Sequence, residues 1–268
     1  MNYFKNKTIW ITGASSGIGE ELVYALSNLN LDTKIIISAR RIEELERVKK
    51  ASQNQENIAI LPLDLAQSDF EEKTKEAISF FGKVDILVHN GGISQRSYIK
   101  DTKMEVYRKI MEVNYFGYVG LTKAILPHFV ENQNGHFVVI TSVLGKLSTP
   151  MRGAYASSKH ALYGFFDGLR AEFYKDNIKV SMIAPGFIRT NVAINALTAT
   201  GETFAKMGKN TGEGYPADKC ANQILKAIKN QKKETYVGKP FGKERLGLYV
   251  RRFFPNLFFK IATKQAPE

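Results

Sequence analysis

The stretch "YASSK" places a tyrosine and a lysine, Tyr155 and Lys159, four residues apart at the start of a helical pattern. In a helix, this spacing puts both side chains on one face. A tyrosine has a pKa near 10, so it exchanges protons poorly at neutral pH unless its anion is stabilised. Before the cost of desolvation, a lysine charge about 4 Å away would lower that pKa by roughly three units. The pair therefore predicts a proton donor, although the Tyr-x-x-x-Lys spacing also occurs by chance.

A second candidate site is the glycine-rich stretch "TGASSGIG", which follows the first apolar run. Its glycines are Gly13, Gly17 and Gly19. A glycine in a turn permits positive φ and close approach of a phosphate, and the following helix offers unpaired N–H groups. The alternative is a tight strand-to-helix turn without a ligand. The position within a strand-helix-strand unit favours a dinucleotide phosphate site.

The second predicted strand ends in "IIISARR", which supplies Arg40 and Arg41. A site that prefers NAD usually carries an acidic side chain at this point, whereas the 2′-phosphate of NADP requires positive charge. A guanidinium can bind a phosphate through two parallel hydrogen bonds. The pair predicts NADP(H) as the cofactor, with NAD(H) as the alternative. The two arginines could instead be solvated residues that open a helix.

Short apolar runs such as "DILVH" and "FVVIT" alternate with longer amphipathic stretches. Because these runs are apolar at consecutive positions, they predict strands that are buried on both faces. The predicted fold is α/β and Rossmann-type, a doubly wound, seven-stranded parallel sheet with helices on both faces. The predicted strands are Thr8–Thr12, Lys34–Ser38, Ile58–Leu61, Asp85–His89, Phe137–Thr141, Lys179–Ile183 and Thr235–Val237. The predicted helices are Gly19–Ser27, Ile42–Lys50, Phe70–Phe81, Met104–His128, Tyr155–Tyr174 and Ala217–Lys229.

Composition narrows the class of protein. The 268 residues are 44% hydrophobic and 24% charged, which is typical of a globular domain. The single cysteine, Cys220, excludes an internal disulfide and is typical of the cytoplasm. The net charge of +12 is spread along the chain without an aromatic-interleaved basic stretch, so no nucleic-acid partner is predicted. The four histidines, His89, His128, His136 and His160, lack zinc-site spacing, so no metal is predicted.

The N-terminus runs directly into a strand without an apolar segment of signal-peptide length, which predicts a protein that is not secreted. We expect one Rossmann-type catalytic domain over residues 1–239 and an amphipathic C-terminal extension over residues 240–268. Residues 187–215 are polar and glycine-punctuated, which suits a mobile lid over a substrate cleft. An apolar pocket for a hydrophobic ketone or secondary alcohol is expected from Ile93, Leu144, Phe187, Ile188 and Val192.

The C-terminal extension carries apolar residues at helical spacing among basic ones. It is too short and too charged to span a bilayer. Two interpretations stay open: peripheral membrane contact through residues 246–264, or packing on the enzyme's own cleft or on a sister subunit. Pro255 is expected to interrupt the helix. The apolar stripe is Leu246, Val250, Phe253, Leu257 and Ile261, and the basic residues are Arg251, Arg252, Lys260 and Lys264.

Taken together, the motifs over residues 7–240 resemble the compact branch of the short-chain dehydrogenase/reductase family. The glycine motif of that family matches Thr12–Gly19, and its N-N-A-G motif appears as "HNGG", with His89 and Gly92 as departures. Stretches such as "SARRIEELERVK" and "NGGISQRS" further resemble the dehydrogenase/reductase member-seven branch. The remaining matches are Asp64 in "LPLDL", Asn114 in "MEVNYFG", Ser142 thirteen residues before Tyr155, Pro185–Gly186, and Thr190.

The resemblance implies an NADP(H)-dependent oxidoreductase that interconverts a carbonyl and a secondary alcohol and forms a homodimer or homotetramer. An NAD-preferring dehydrogenase and a non-catalytic NADP-sensing regulator are the alternatives. Ser142 would donate a hydrogen bond to the substrate oxygen, Tyr155 would protonate it, Lys159 would stabilise the tyrosinate, and Asn114 would anchor a water. The implied cofactor contacts are Gly13, Ser15, Ser16, Gly17, Ile18, Gly19, Arg40, Arg41, Asp64, Leu65, Asn90, Gly91, Tyr155, Lys159, Pro185, Gly186, Ile188 and Thr190.

Overall fold

The structure is a computed structural model that describes residues 2–67, 69–206 and 212–264. Its strands are β1 Thr8–Thr12, β2 Lys34–Ser38, β3 Ile58–Ile60, β4 Ile86–His89, β5 Gly135–Ile140, β6 Ile178–Pro185 and β7 Glu234–Val237. They form one seven-stranded sheet in the order β3-β2-β1-β4-β5-β6-β7. Every pair of neighbouring strands is parallel. The predicted fold class is therefore confirmed.

The helices of the described segments connect these strands and cover the sheet. They are α1 Gly17–Ser27, α2 Ile42–Ala51, α3 Phe70–Phe81, α4 Met104–Met111, α5 Gly117–Glu131, α6 Gly153–Glu172, α7 Ala217–Lys229, α8 Lys243–Phe253 and α9 Pro255–Ala262. Short 3₁₀ turns lie at Asn2–Phe4, Gln55–Asn57 and Val143–Gly145. The last of these turns directly follows Ser142 at the end of β5.

The sheet separates two apolar layers. Ile9 and Ile11 of β1 pack into one layer with Leu22 of α1, which α2 and α7 also join. Trp10, between them, faces the other layer with Leu121 of α5, which α3 and α6 also join. Side chains of a strand alternate between its faces, so a strand buried on both sides must be apolar at consecutive positions. This explains the continuous apolar runs in the sequence.

The predicted helix Met104–His128 differs from the observed chain. In the structure α4 ends at Met111, a π-helical turn covers Glu112–Phe116, and α5 continues to Glu131. We call Glu112–Phe116 the π segment. A π turn is wider than an α turn and rotates the residues that follow it, and it occurs frequently at functional sites. The apolar periodicity continues through the turn, so the sequence pattern did not reveal it.

The C-terminal extension forms two helices rather than one. Phe254 separates α8 from α9, and Pro255 is the first residue of α9, as the sequence predicts. Phe258 and Ala262 are buried against Leu147. Within this chain the expected apolar stripe is not the packing face. Of its members only Val250 packs in that cluster, and Leu246, Phe253, Leu257 and Ile261 are exposed.

Candidate active site

The glycine loop joins β1 to α1 at the C-terminal edge of the sheet. Gly13 has φ 65° and Gly17 has φ 59°, which lie in the left-handed region that favours glycine. A Cβ at Gly13 would lie 2.5 Å from the Cα of Gly91, and one at Gly19 would lie 2.3 Å from the carbonyl oxygen of Gly13. Glycine is therefore required for the loop to pack this closely. The same loop leads into the N-terminus of α1, where free N–H groups favour an anion.

Polar contacts join the glycine loop to the segment after β4. The Thr12 hydroxyl accepts the backbone N–H of Asn90 at 3.0 Å and that of Gly91 at 3.1 Å. The Asn90 amide donates to the carbonyl oxygens of Thr12 at 3.1 Å and Gly13 at 3.0 Å. These bonds fix the crevice between β1 and β4, where the strand order reverses. In open α/β sheets, ligands bind at this switch point.

A cavity of about 820 Å³ runs along this edge of the sheet. Nearly all residues predicted to contact a cofactor line it together with Ser142. Gly19 and Asn114 do not line it, because both are buried behind its wall. The predicted residues that line it are Gly13, Ser15, Ser16, Gly17, Ile18, Arg40, Arg41, Asp64, Leu65, Asn90, Gly91, Tyr155, Lys159, Pro185, Gly186, Ile188 and Thr190.

Two arginines lie where the chain leaves β2 and enters the cavity lining. Arg40 and Arg41 follow β2, and both are exposed and line the cavity. Arg47, which the sequence analysis missed, bonds to Glu20 at 2.8 Å and to the carbonyl oxygen of Ser15 at 3.2 Å. It therefore ties α2 to the glycine loop. Its position two turns into a charged helix gave no signal of this contact.

The tyrosine and lysine of "YASSK" lie near the start of α6, as their spacing predicts. Ser142 and Tyr155 both line the cavity, and the Ser142 hydroxyl acts on Tyr155 closely enough to oppose the rise in its pKa. The Ser142 oxygen also accepts the backbone N–H of Leu144 at 3.1 Å, which fixes the turn after β5. The Lys159 ammonium donates to the carbonyl oxygen of Ile140 at 3.0 Å and lies 5.9 Å from the centre of the Tyr155 ring. The site thus holds a serine, a tyrosine and a lysine at one end of the cavity.

Burial dominates the protonation of these groups. It raises the pKa of Tyr155 above its ordinary value, while the Ser142 hydroxyl and the Arg152 guanidinium act in the opposite direction. Burial also lowers the pKa of Lys159 to about 7. In this structure burial outweighs the influences that lower the pKa of Tyr155, and these come from Ser142 and Arg152.

Arg152 is a further residue that the sequence analysis missed. Its guanidinium donates to the Ser94 hydroxyl at 3.1 Å and to the carbonyl oxygen of Gln95 at 3.0 Å. It therefore joins the start of α6 to the segment after the "HNGG" motif. Its place three residues before Tyr155, one helical turn, is the signal that could have identified it.

Asn114 lies in the π segment and is fully buried. Its side-chain oxygen accepts the N–H of Ile93 at 2.9 Å, and its amide donates to the carbonyl oxygen of Ile93 at 2.9 Å and to Ser158 at 3.0 Å. A Cβ at Gly92 would lie 3.0 Å from this oxygen and 3.7 Å from the Lys159 ammonium. Asn114 therefore holds the segment after β4 against α6, next to Lys159.

His89, which departs from the family pattern, is fully buried at the end of β4. Its Nε2 lies 2.8 Å from the Thr122 hydroxyl, and its ring stacks on Tyr118 at 4.6 Å. Burial, with the charge of Lys159, lowers the pKa of His89 to about 3, so the ring is neutral at pH 7. The Tyr118 hydroxyl donates to the carbonyl oxygen of Gly91 at 2.7 Å, and the Lys159 ammonium lies 5.3 Å from the Tyr118 ring. His89 thus packs beneath the site rather than lining it.

The predicted apolar pocket is partly wrong. Ile93, Ile188 and Val192 line the cavity. Leu144 packs instead toward the buried Phe258 cluster of the C-terminal extension, and Phe187 is 42% exposed outside the cavity lining. Contacts with the extension come from distant sequence and therefore could not be inferred from the local pattern.

The predicted lid over residues 187–215 is tied to the rest of the site. Leu197 bridges to Gln95, which lies outside the lid, whereas Ile188 bridges to Tyr215 within it. The Arg96 guanidinium lies 4.9 Å from the centre of the Phe204 ring. Residues 207–211 of the predicted lid lie outside the described residues.

Known proteins are similar to this chain in both sequence and fold. The family pattern for short chain dehydrogenase matches residues 7–200. The human protein dehydrogenase/reductase SDR family member 7 is 42% identical over 266 residues, 96% of this chain and 76% of its own length. A short-chain dehydrogenase from Streptomyces avermitilis superposes with a TM-score of 0.81 at 27% identity, over 96% of this chain and 97% of the other. A short-chain dehydrogenase from Burkholderia cenocepacia J2315 in complex with NADP has a TM-score of 0.79 at 20% identity, over 98% and 99%, which shows a shared fold.

The parallel sheet, the glycine loop and the serine, tyrosine and lysine at its edge define a Rossmann-type short-chain oxidoreductase fold. The chain belongs to the short-chain dehydrogenase/reductase family. Within that family it is similar to member 7, which confirms the resemblance seen in the sequence.

Proposed function

We propose that the protein is an NADP(H)-dependent oxidoreductase that interconverts a carbonyl group and a secondary alcohol. One observation carries the proposal: Ser142, Tyr155 and Lys159 line the same cavity as the glycine loop. When bound, NADPH would supply the hydride that reduces the carbonyl carbon. A serine, tyrosine and lysine in one cavity are what the matching proton transfer requires.

Each side chain has a distinct part in the proton transfer. The Tyr155 hydroxyl donates its proton to the substrate oxygen as that oxygen gains negative charge. The Ser142 hydroxyl donates a hydrogen bond to the same oxygen, which stabilises the developing charge. The Lys159 ammonium stabilises the tyrosinate that remains. In the direction of alcohol oxidation the tyrosinate accepts the proton, so the same groups serve both directions.

The residues that line the cavity also fit the chemistry of NADP(H). The glycine loop, in which a Cβ would collide with neighbouring backbone, leaves backbone N–H groups for the pyrophosphate. Arg40 and Arg41 supply positive charge for the 2′-phosphate. Asp64 and Leu65 line the same cavity and would contact the adenine. Pro185, Gly186, Ile188 and Thr190 line it as well and would contact the nicotinamide.

The substrate end of the cavity favours an apolar molecule. Ile93, Ile188 and Val192 line the same cavity as Tyr155. A hydrophobic ketone or secondary alcohol would lose less hydration on entering such a pocket than a charged one. We therefore propose a hydrophobic carbonyl or alcohol as the substrate class.

The substitution Tyr155→Phe tests the mechanism because it removes only the reacting hydroxyl. On an apolar ketone selected from a panel with the wild type and NADPH, we expect turnover to fall by about 10²-fold or more. NADPH affinity, followed by fluorescence titration, should change little.

Tyr163→Phe is the matched control, because Tyr163 lies two turns further along α6 and outside the cavity lining, where its hydroxyl contacts Thr141 at 3.2 Å. This variant should keep its turnover. A Tyr155→Phe protein with wild-type turnover would refute the mechanism.

A further inference from the structure

The helices α8 and α9, together with Phe241 before them and Phe254 between them, expose many large apolar side chains. Isolated apolar residues are common on protein surfaces, but a contiguous group of this kind usually marks an interaction site. We call this group the tail surface. Its members are each at least 46% exposed and are Phe241, Leu246, Tyr249, Phe253, Phe254, Leu257, Phe259 and Ile261.

The tail surface is separate from the face that packs on the enzyme. Phe258 and Ala262 are 7% and 8% exposed and fill the contact with Leu147. The two helices therefore already pack on the rest of the protein through one apolar face. The second apolar face is exposed, so a partner for it must come from outside the chain.

The charges around the tail surface have one sign. From Arg245 to Lys264 the chain carries arginines and lysines but no aspartate or glutamate. Arg252, Lys260 and Lys264 are exposed, and none forms an ion pair with a described residue. The partner should therefore be apolar and anionic together.

A second copy of the chain does not meet this requirement. A symmetric contact would place the same patch against itself and bring the cations of both copies together. An anionic bilayer supplies negative headgroups directly above an apolar layer. No helix among the described residues is long and apolar enough to cross a membrane, and α8 and α9 have 11 and 8 residues.

We propose that α8 and α9 bind the surface of an anionic lipid bilayer. The exposed phenylalanines enter the interfacial region, and Arg252, Lys260 and Lys264 face the lipid headgroups. Arg251 lies 5.0 Å from the Phe259 ring, so its charge stays beside the apolar surface as well.

The start of α8 also adjoins the cavity, because Glu244 packs against Gly186, which lines it. Glu244 accepts the N–H of Phe187 at 3.4 Å and the hydroxyl of Tyr236 at 3.2 Å, which fixes the start of α8 beside the segment after β6. A bound bilayer would therefore lie close to the substrate end of the cavity. Entry of an apolar substrate from the bilayer into the cavity rests on the proposed function, whereas the proposal of lipid binding does not.

Flotation of the full chain with vesicles tests the proposal. We expect binding to phosphatidylcholine vesicles that contain phosphatidylserine and much weaker binding to phosphatidylcholine alone, with a decrease as salt rises. The double variant Arg252→Glu/Lys260→Glu should reduce the partition coefficient by about thirtyfold or more, since each cation near an anionic surface contributes substantially. Lys50→Glu/Lys75→Glu makes the same change in net charge on α2 and α3 and should retain binding.

A second pair of variants tests the apolar contribution. Phe253→Ser/Phe254→Ser removes two side chains that are 67% and 63% exposed, so the fold should remain intact. Phe80→Ser/Tyr174→Ser is the control, at 39% and 67% exposure away from the tail surface. The first variant should lose vesicle binding and the control should keep it. Equal thermal midpoints would show that all four chains are folded.

Three results would overturn the proposal. The wild type could fail to float with either type of vesicle. The tail and control variants could lose binding equally, which would indicate only a general effect of net charge. Light scattering could show that the tail variants change the oligomeric mass while flotation is absent, which would make the tail surface a contact between copies. Failure of the Tyr155→Phe test would leave these readouts unaffected.

Discussion

Arg40 is the residue that tests the proposed preference for NADP over NAD most directly. It follows β2 and lines the cavity beside Arg41. In Arg40→Ala we expect NADPH affinity to fall by about tenfold, because one charge-assisted contact with the 2′-phosphate is lost. NADH lacks that phosphate, so its affinity should stay the same. Calorimetric titration with both nucleotides measures the difference, and an equal loss for both would favour the NAD-preferring alternative.

At the residue scale, the sequence predicts the chemical groups better than their neighbours. The spacing of Tyr155 and Lys159 implies one helical face, and the structure has that face. Arg152 and Tyr118 escaped prediction because their contacts run through backbone carbonyls and ring faces, which leave no distinctive residue pattern. Leu144 was misassigned because residues more than 100 positions later in the chain pack on its side of the turn.

At the scale of single elements, the π segment shows what periodicity cannot reveal. The apolar spacing of Met104–His128 is compatible with one helix, yet the observed chain changes its turn at Glu112. The wide turn allows Asn114 to bond both backbone groups of Ile93 and the Ser158 hydroxyl. The π turn is stabilised by hydrogen bonds to residues that are distant in the sequence, so the local apolar spacing could not predict it.

The first turn of α1 also belongs to this scale, and Gly19→Ala tests it. The new Cβ would lie 2.3 Å from the carbonyl oxygen of Gly13 and 2.6 Å from the Asn90 amide. Because the obstacle is backbone, the loop must shift, and we expect a loss of about 1–3 kcal/mol in the free energy of unfolding. NADPH binding should weaken as well, since the shifted loop is the proposed pyrophosphate seat.

Gly164→Ala is the control for this prediction. Gly164 is an exposed position within α6, and a Cβ there meets nothing within 4 Å. Alanine should stabilise the helix by up to about 1 kcal/mol and leave NADPH binding unchanged. Chemical unfolding and nucleotide titration measure both variants. If Gly19→Ala behaved like Gly164→Ala, the close packing of the loop would not matter.

At the scale of the whole molecule, the layered sheet was predictable because its central strands are apolar on both faces. Ile36 of β2 belongs to one layer, and its neighbours Ile35 and Ile37 belong to the other. The packing position of the C-terminal extension was not predictable, since it depends on a contact between Leu147 and Phe258, which are distant in the sequence. The position of an element in the fold can thus be predicted from its own sequence only where that sequence shows which of its faces are buried.

The sheet also buries two histidines, which predicts how the stability of the molecule depends on pH. His89 and His136 lie on adjacent strands, β4 and β5, and are 0% and 2% exposed. His136 contacts the Tyr3 hydroxyl at 2.9 Å and the Ser181 hydroxyl at 2.9 Å. Burial is the main cause that lowers the pKa of each ring from 6.5 to about 3. Both rings are therefore neutral in the folded protein at pH 5.

The unfolded chain binds a proton on each of these histidines below pH 6.5, whereas the folded chain does not until about pH 3. The free energy of unfolding should therefore fall with pH across this window, by about 2 kcal/mol per histidine at pH 5. Urea unfolding at pH 7 and pH 5 measures the loss. His89→Asn/His136→Asn should be less stable at pH 7 but lose less stability between the two pH values. His160→Gln, at an exposed position, should lose as much as the wild type, and an equal loss in all three proteins would contradict the assignment.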